Sequence, residues 1–291
     1  MSRRAVLTWP AVMAAVYAVA FVLVYYVSVR TVRGRLVSDA SLRGAISSGA
    51  SVRDTVDSLL NVVSVGSLLG AIAVVAVIAL LRLERVRGLA SIAVLVLANG
   101  STWLLKEHLL TRPDLGLDEV APATLNSLPS GHTTAAFSAV AALLVVLPGR
   151  LRLPTALFGG GFAAVIALAT MFAGWHRAAD AMAAFLVVGI CTMVAVAAVV
   201  VLVDTPPAAS PTSTTRRLRW WIAPAVGALV LGGVLAVALS LLGPVRDTLV
   251  GSLLAFMTAS LLVVGTLLGV LGGMLQVLEA TEATTGRDRA T

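Results

Sequence analysis

Residues 126–134 read Asn-Ser-Leu-Pro-Ser-Gly-His-Thr-Thr, and an unbroken apolar run follows them. In a chain that is 59% hydrophobic, small hydroxyl residues, a Gly and a His gather here, immediately before the start of a helix-length segment. Pro129 fixes the backbone, Ser130 is placed to cap the next helix, and Gly131 lets backbone approach a ligand. His132 then falls on the first helical turn. A helix N-terminus carries unpaired N–H groups and a partial positive charge, so it accepts an anion such as phosphate. A His at that place can also exchange a proton near neutral pH. Taken alone, the stretch fits equally well a capped helix start with an incidental His. Its surroundings decide.

Only 12% of the 291 residues are charged, against about 25% in soluble domains, and mean hydropathy is +0.99. This is an all-α integral membrane protein, long enough for several spans of roughly 20 residues. The single Cys191 lies within an apolar run, which excludes a disulfide framework and a cysteine metal site. Three histidines without a His/Cys cluster predict no metal and no cofactor. The net charge of +7 comes almost wholly from Arg at the ends of apolar runs. It reads as membrane orientation and attraction to anionic lipid head groups. No basic stripe with interleaved aromatics exists, so nucleic acid is not expected as a partner. Among the 21 basic residues Lys106 is the one lysine, a compact point charge beside the most polar segment.

Working outward from 126–134 gives eight apolar spans. The fourth runs over 131–147, with the third before it at 89–106 and the second at 59–81. The first, 5–29, has Trp9, Tyr25 and Tyr26 near its ends, where interfacial aromatics sit. It is too long for a typical signal-peptide core and no cleavage site follows it. The segment 30–57 holds Arg33, Arg35, Arg43 and Arg53 with Asp39, Asp54 and Asp57. Leu36, Leu42 and Ile46 recur at helical spacing, so this is either a surface-lying amphipathic helix or a solvated loop. Downstream come spans at 155–173 and 178–203. A Pro/Ser/Thr/Arg linker at 206–219 separates residues 1–205 from two more spans within 220–278. Glycines at 265, 269, 272 and 273 suit close helix packing, and 279–291 forms a polar tail.

With eight spans, the polar segments 107–130 and 174–177 face the same side. The two sides carry 12 and 9 basic residues. The positive-inside rule then places both termini in the cytoplasm and the polar segments outside.

On that side lie Lys106 and Arg112-Pro113, then Pro129-Ser-Gly-His132, then Gly174-Trp-His176-Arg-Ala-Ala-Asp180. His176 and Asp180, four apart at a helix start, share one face. A carboxylate on one imidazole nitrogen leaves the other basic and oriented, as a nucleophile or base needs. His132 supplies a candidate acid. Lys106, Arg112 and the N–H groups around Ser130 and Gly131 supply positive charge for a dianion. Two His with a basic cradle and no metal ligands is the layout of phosphoryl transfer through a phosphohistidine.

The order Lys…Arg-Pro, Pro-Ser-Gly-His, His-x-x-x-Asp resembles the type 2 phosphatidic acid phosphatase superfamily, over roughly residues 1–205. The resemblance implies a six-helix membrane core and metal-independent hydrolysis of lipid phosphates or diphosphates. It implies His176 as nucleophile, Asp180 orienting it, and His132 as the acid on the leaving oxygen. Lys106, Arg112, Ser130 and Gly131 would hold the phosphoryl oxygens. Two positions depart from the pattern. Five residues rather than six separate Lys106 from Arg112, and Ala169-Thr170 stand where the third motif usually opens Ser-Arg. Arg177 is the candidate replacement guanidinium, while His108 and Asp114 are candidates to line the entrance. The expected protein is a multi-pass membrane phosphatase acting on a lipid phosphate among membrane lipids. The rival is a non-catalytic lipid-phosphate binder or transporter on the same core. The particular lipid, such as a polyprenyl phosphate, is left open, as is whether a homo-oligomer forms.

Overall fold

The computed structural model describes residues 3–49, 53–118, 126–203 and 214–281. Among them there is no strand, and the elements are helices throughout. The first four are α1 (Arg3–Arg30), α2 (Val32–Gly49), α3 (Arg53–Val62) and α4 (Val65–Leu81). Helix α5 (Arg85–Leu104) ends in one π turn, Leu105–Leu109, that carries Lys106. Next come α6 (Gly131–Val146), the short α7 (Gly149–Pro154) and α8 (Gly160–Phe172), the last two joined by a π turn at Thr155–Gly159. Helices α9 (Ala178–Leu202), α10 (Thr214–Leu241), α11 (Gly243–Arg246) and α12 (Leu249–Thr281) complete the set.

Each of the eight apolar segments contains a helix, and the chain is an all-α polytopic membrane fold. Six helical stretches among the described residues are long and apolar enough to cross a bilayer unaided. The other two segments differ from simple spans for local reasons. Helices α3 and α4 meet at a 44° bend. There Ser64 caps α4, taking the Ser67 N–H at 3.3 Å while the Ser67 hydroxyl takes the Ser64 N–H at 2.9 Å. That reciprocal box starts a new helix rather than continuing the old one. Helix α6 has 16 residues, about 24 Å of rise, short of a hydrocarbon core of about 30 Å. The loop before it packs inside the protein. Ser127, Leu128 and Ser130 are all buried, and non-helical backbone is tolerated at such depth when protein surrounds it.

Helix α9 is the axis of the bundle, and it is the most buried of the six long apolar stretches. It is rich in Ala and has one Gly, Gly189, so α1, α5, α6 and α12 approach it closely. Phe137 and Phe185 meet edge to face at 5.0 Å between α6 and α9. Polar contacts pin α5 to α6, with Thr102 and Thr134 hydroxyls 2.9 Å apart and Asn99 donating to Ser138 at 3.1 Å. The outer faces expose Val12, Val16, Leu23, Leu69, Val77, Val230 and Val234. Apolar surface on that scale is stable only against lipid or another protein.

The last two spans are packed into the bundle. Helix α12 lies against α10, α2, α9 and α8. Its glycines make the approach possible, as their spacing predicted. A side chain at Gly273 would collide with Tyr17 of α1, and one at Gly272 with Trp221 of α10. Helix α10 begins at Thr214, so residues 214–219 of the expected linker are helical. Residues 206–213 of that linker, and 282–291 of the expected tail, lie outside the described residues.

The described part of segment 30–57 is helical and packed against the bundle, so it is no solvated loop. Helix α2 is wedged between α12, α1 and α8, with Ala40, Leu42 and Ala45 fully buried. A side chain at Gly44 would strike the Ser252 backbone oxygen of α12. The reason lies in the pattern: Arg35, Asp39, Leu42 and Ile46 share one helical face, so two charges belong to the apolar stripe.

Candidate active site

The site is assembled at one end of the bundle, where α5 ends and α6 and α9 begin. Helix α8 closes with a tight reversal. Gly174 adopts φ +76°, a left-handed conformation that suits glycine. The Thr170 carbonyl then accepts the N–H groups of Trp175 at 3.0 Å and His176 at 3.2 Å. This turn projects His176 from the residue before the α9 cap. His176 and Asp180 therefore meet across the start of α9.

His176 Nδ1 lies 3.1 Å from Asp180 Oδ2, and both side chains are buried. The same oxygen accepts the Arg177 backbone N–H at 3.0 Å and the Ser127 hydroxyl at 2.5 Å. Three donors on one carboxylate oxygen hold it rigidly and favour its charged form. With Asp180 accepting from Nδ1–H, the His176 Nε2 keeps its lone pair.

The loop bearing the second motif is tied to the third. Ser130 N–H donates to the Asp180 carbonyl at 3.0 Å, and Ser127 reaches the Asp180 side chain. The Leu128–Pro129 bond is cis. Ser130 caps α6, its hydroxyl accepting from Thr133 N at 3.4 Å and from the Thr133 hydroxyl at 3.1 Å. Gly131 is exposed and faces open space. His132 lies 5.6 Å from Trp175, ring centre to ring centre, and within electrostatic range of both His176 and Lys106. The first motif joins the same network, since Asn126 donates to the Lys106 and Leu110 carbonyls at 2.9 and 3.0 Å.

His132 thus lies in electrostatic range of both His176 and Lys106, and Asp180 backs His176. Arg112 and Arg177 are held from one side by a residue the sequence reading left unassigned. Asp39 Oδ1 accepts the Arg177 Nε–H at 2.9 Å, and Arg177 Nη2 and Arg112 Nη2 make ion-pair contacts to it at 2.8 and 3.8 Å. Arg35, one turn earlier on α2, donates to the Pro113 carbonyl at 3.2 Å. Burial lowers the Arg177 guanidinium from the usual arginine range, and the Asp39 carboxylate offsets part of that shift. It stays cationic at neutral pH.

Residues 87–205 match the family model described as PAP2 superfamily. This segment is a PAP2-superfamily domain. No curated protein and no solved structure matches the chain.

The PAP2 segment carries all three motifs, yet Arg35 and Asp39 come from α2, outside it. Asp39 was findable in principle, as a charge on the buried stripe of a helix four residues from an arginine. What the sequence could not supply was its partner, 138 residues away. Thr170, in the position where the third motif usually has Arg, is fully buried, and its hydroxyl bonds the Ala167 carbonyl at 2.8 Å. The guanidinium absent from that position is not restored from the same turn. The two entrance candidates are engaged locally. His108 stacks edge-on against Trp103 at 4.8 Å, and Asp114 Oδ1 accepts Gly116 N–H at 2.8 Å.

Proposed function

We propose that this protein hydrolyses a lipid-linked phosphate or diphosphate, of polyprenyl or glycerophospholipid type, without a metal. The observation that carries the reading is the buried His176–Asp180 pair, with His132 in electrostatic range of both His176 and Lys106. His176 Nε2 attacks phosphorus while the bond to the leaving oxygen breaks, and His132 donates a proton to that oxygen. The phosphoryl group rests on His176. Water then attacks it, losing its proton to the now neutral His132, and inorganic phosphate leaves as the N–P bond breaks. Asp180 holds Nδ1–H throughout and stabilises the positive charge on the ring. Lys106, Arg112 and the Ser130–Gly131 backbone meet the phosphoryl oxygens, and preorganised charge of this kind supplies much of the rate in such sites. Arg177 contributes charge from behind, through its place beside Asp39.

The excess of basic residues on the opposite side supports cytoplasmic termini and a site at the outer membrane face. The apolar chain of the substrate stays in the bilayer while the head group meets the site at the water boundary. Phosphate release from a panel of lipid phosphates, by wild type and His176→Ala, tests the reading. Equal release by both ends it. One observation favours a second reading: Thr170 removes a guanidinium from the third motif. A lipid-phosphate binder or transporter would bind its ligand without turnover, and binding would survive His176→Ala.

A further inference from the structure

A cavity of about 220 Å³ reaches Ala178 and Ala179, the residues that follow Arg177 in the chain. Its walls come from the C-terminal end of α1, from α2, the first turn of α9, the end of α10 and the first half of α12. Four of these five helices, all but α9, lie outside residues 87–205. Ala178 and Ala179 line it on one side and Ser38 and Ser41 on another. Arg177 directly precedes the first pair, and Asp39 lies between the second. The Arg177–Asp39 ion pair therefore joins two of the elements that wall the cavity.

The walls present hydrocarbon despite their hydroxyl residues. Thr31, Ser41, Ser240 and Thr258 each turn their hydroxyl back onto a carbonyl of their own helix or turn, at 2.6 to 2.8 Å. What faces the cavity is then mostly methyl and methylene surface. Arg33, exposed, stands among the lining residues. An α-helix with its side chains is about 10–12 Å across and does not enter a space of this size, whereas a single extended hydrocarbon chain does. The cationic residue at the rim, and Arg177 next to Ala178 in the chain, suit an anionic lipid.

We infer that this cavity holds the hydrocarbon chain of the lipid phosphate whose head group occupies the site, and that α10 and α12 serve to build it. The inference rests on the phosphatase reading for its head group. It also gives the last two spans a task. Because the bilayer is itself apolar, the contribution comes from packing and alignment of the chain rather than from transfer out of water.

The test uses full-length protein in detergent and two variants that fill the cavity from α10, Ala236→Phe and Ser240→Phe. Hexadecyl phosphonate and ethyl phosphonate measure binding, and hexadecyl and ethyl phosphate measure hydrolysis. Both variants should bind the long-chain phosphonate about tenfold more weakly, the scale of one packing loss of ~1.4 kcal/mol. They should bind the short-chain one as wild type does. Unchanged long-chain affinity overturns the inference, and so does equal loss with both chains, which reports damage to the phosphate site. Chain-selective binding without turnover by wild type removes the phosphatase reading and retains the cavity. Turnover by both variants with no dependence on chain length does the reverse.

Discussion

Replacing Asp39 by Ala removes the carboxylate that joins α2 to both Arg112 and Arg177. The Arg177 and Asp39 side chains are 2% and 3% exposed, so solvent cannot take over the lost contact. Breaking a buried ion pair by deleting one member costs about 3–5 kcal/mol, because the remaining charge stays buried. At roughly 2–4 °C per kcal/mol, Asp39→Ala should melt roughly 6–20 °C below wild type in the same detergent. Asp39→Asn keeps an oxygen for the guanidinium and loses only the charge, so it should cost about 1–3 kcal/mol. Turnover should fall as well. The Arg177 backbone N–H holds Asp180 at 3.0 Å, and displacement of about 1 Å at a catalytic group can cost ~10²-fold. Melting by intrinsic fluorescence, phosphate release and the Asp39→Ala/Arg177→Met double mutant together form the assay. Coupling of about 0.5–3 kcal/mol is expected between residues in direct contact. Asp39→Ala that melts and turns over like wild type, or additive effects in the double mutant, would refute the account of α2.

Other perturbations follow from the same contacts. Ser127→Ala removes a donor to the buried Asp180, worth about 1.5–3 kcal/mol for a bond to a charged group, and kcat should fall about tenfold or more with KM little changed. Gly44→Val pushes a side chain into the Ser252 carbonyl. It should lower stability by about 1–3 kcal/mol, the usual cost of overpacking, seen as a lower melting temperature and a faster-cleaved α2 in limited proteolysis. Thr170→Arg, which restores the family residue, should not raise activity. Thr170 is 0% exposed, so the larger side chain strains the turn that aims His176, and phosphate release should drop.

Much of this architecture is legible in the sequence because bilayer physics is local. A run of about 20 apolar residues is a span wherever it falls, and eight runs fix which loops share a side. The three motifs are legible for a similar reason, since Lys106, Ser130 and His176 each sit at a helix end that the sequence marks with a polar break. Helix α2 was opaque for the opposite reason. Its mean composition is polar, and only the alignment of Arg35 and Asp39 with Leu42 marks it as buried. What those charges meet, Pro113 and Arg177, depends on tertiary contacts that no local pattern encodes. The bend at Ser64 is of another kind: Ser-Val-Gly-Ser does carry a capping signal, but an apolar run of span length conceals it. The role of Thr170 could not be read at all, because its carbonyl, not its side chain, holds the third motif in place.

The central claim is that His176 and His132 act on one phosphoryl group. Rapid acid-free quenching of the protein during turnover of a lipid phosphate labelled on phosphorus tests it most directly, followed by peptide mapping. The account predicts an acid-labile, base-stable label on residue 176, absent from His176→Ala and much reduced in His132→Ala. Turnover with no protein-bound phosphoryl group, or with the label on another residue, would contradict it.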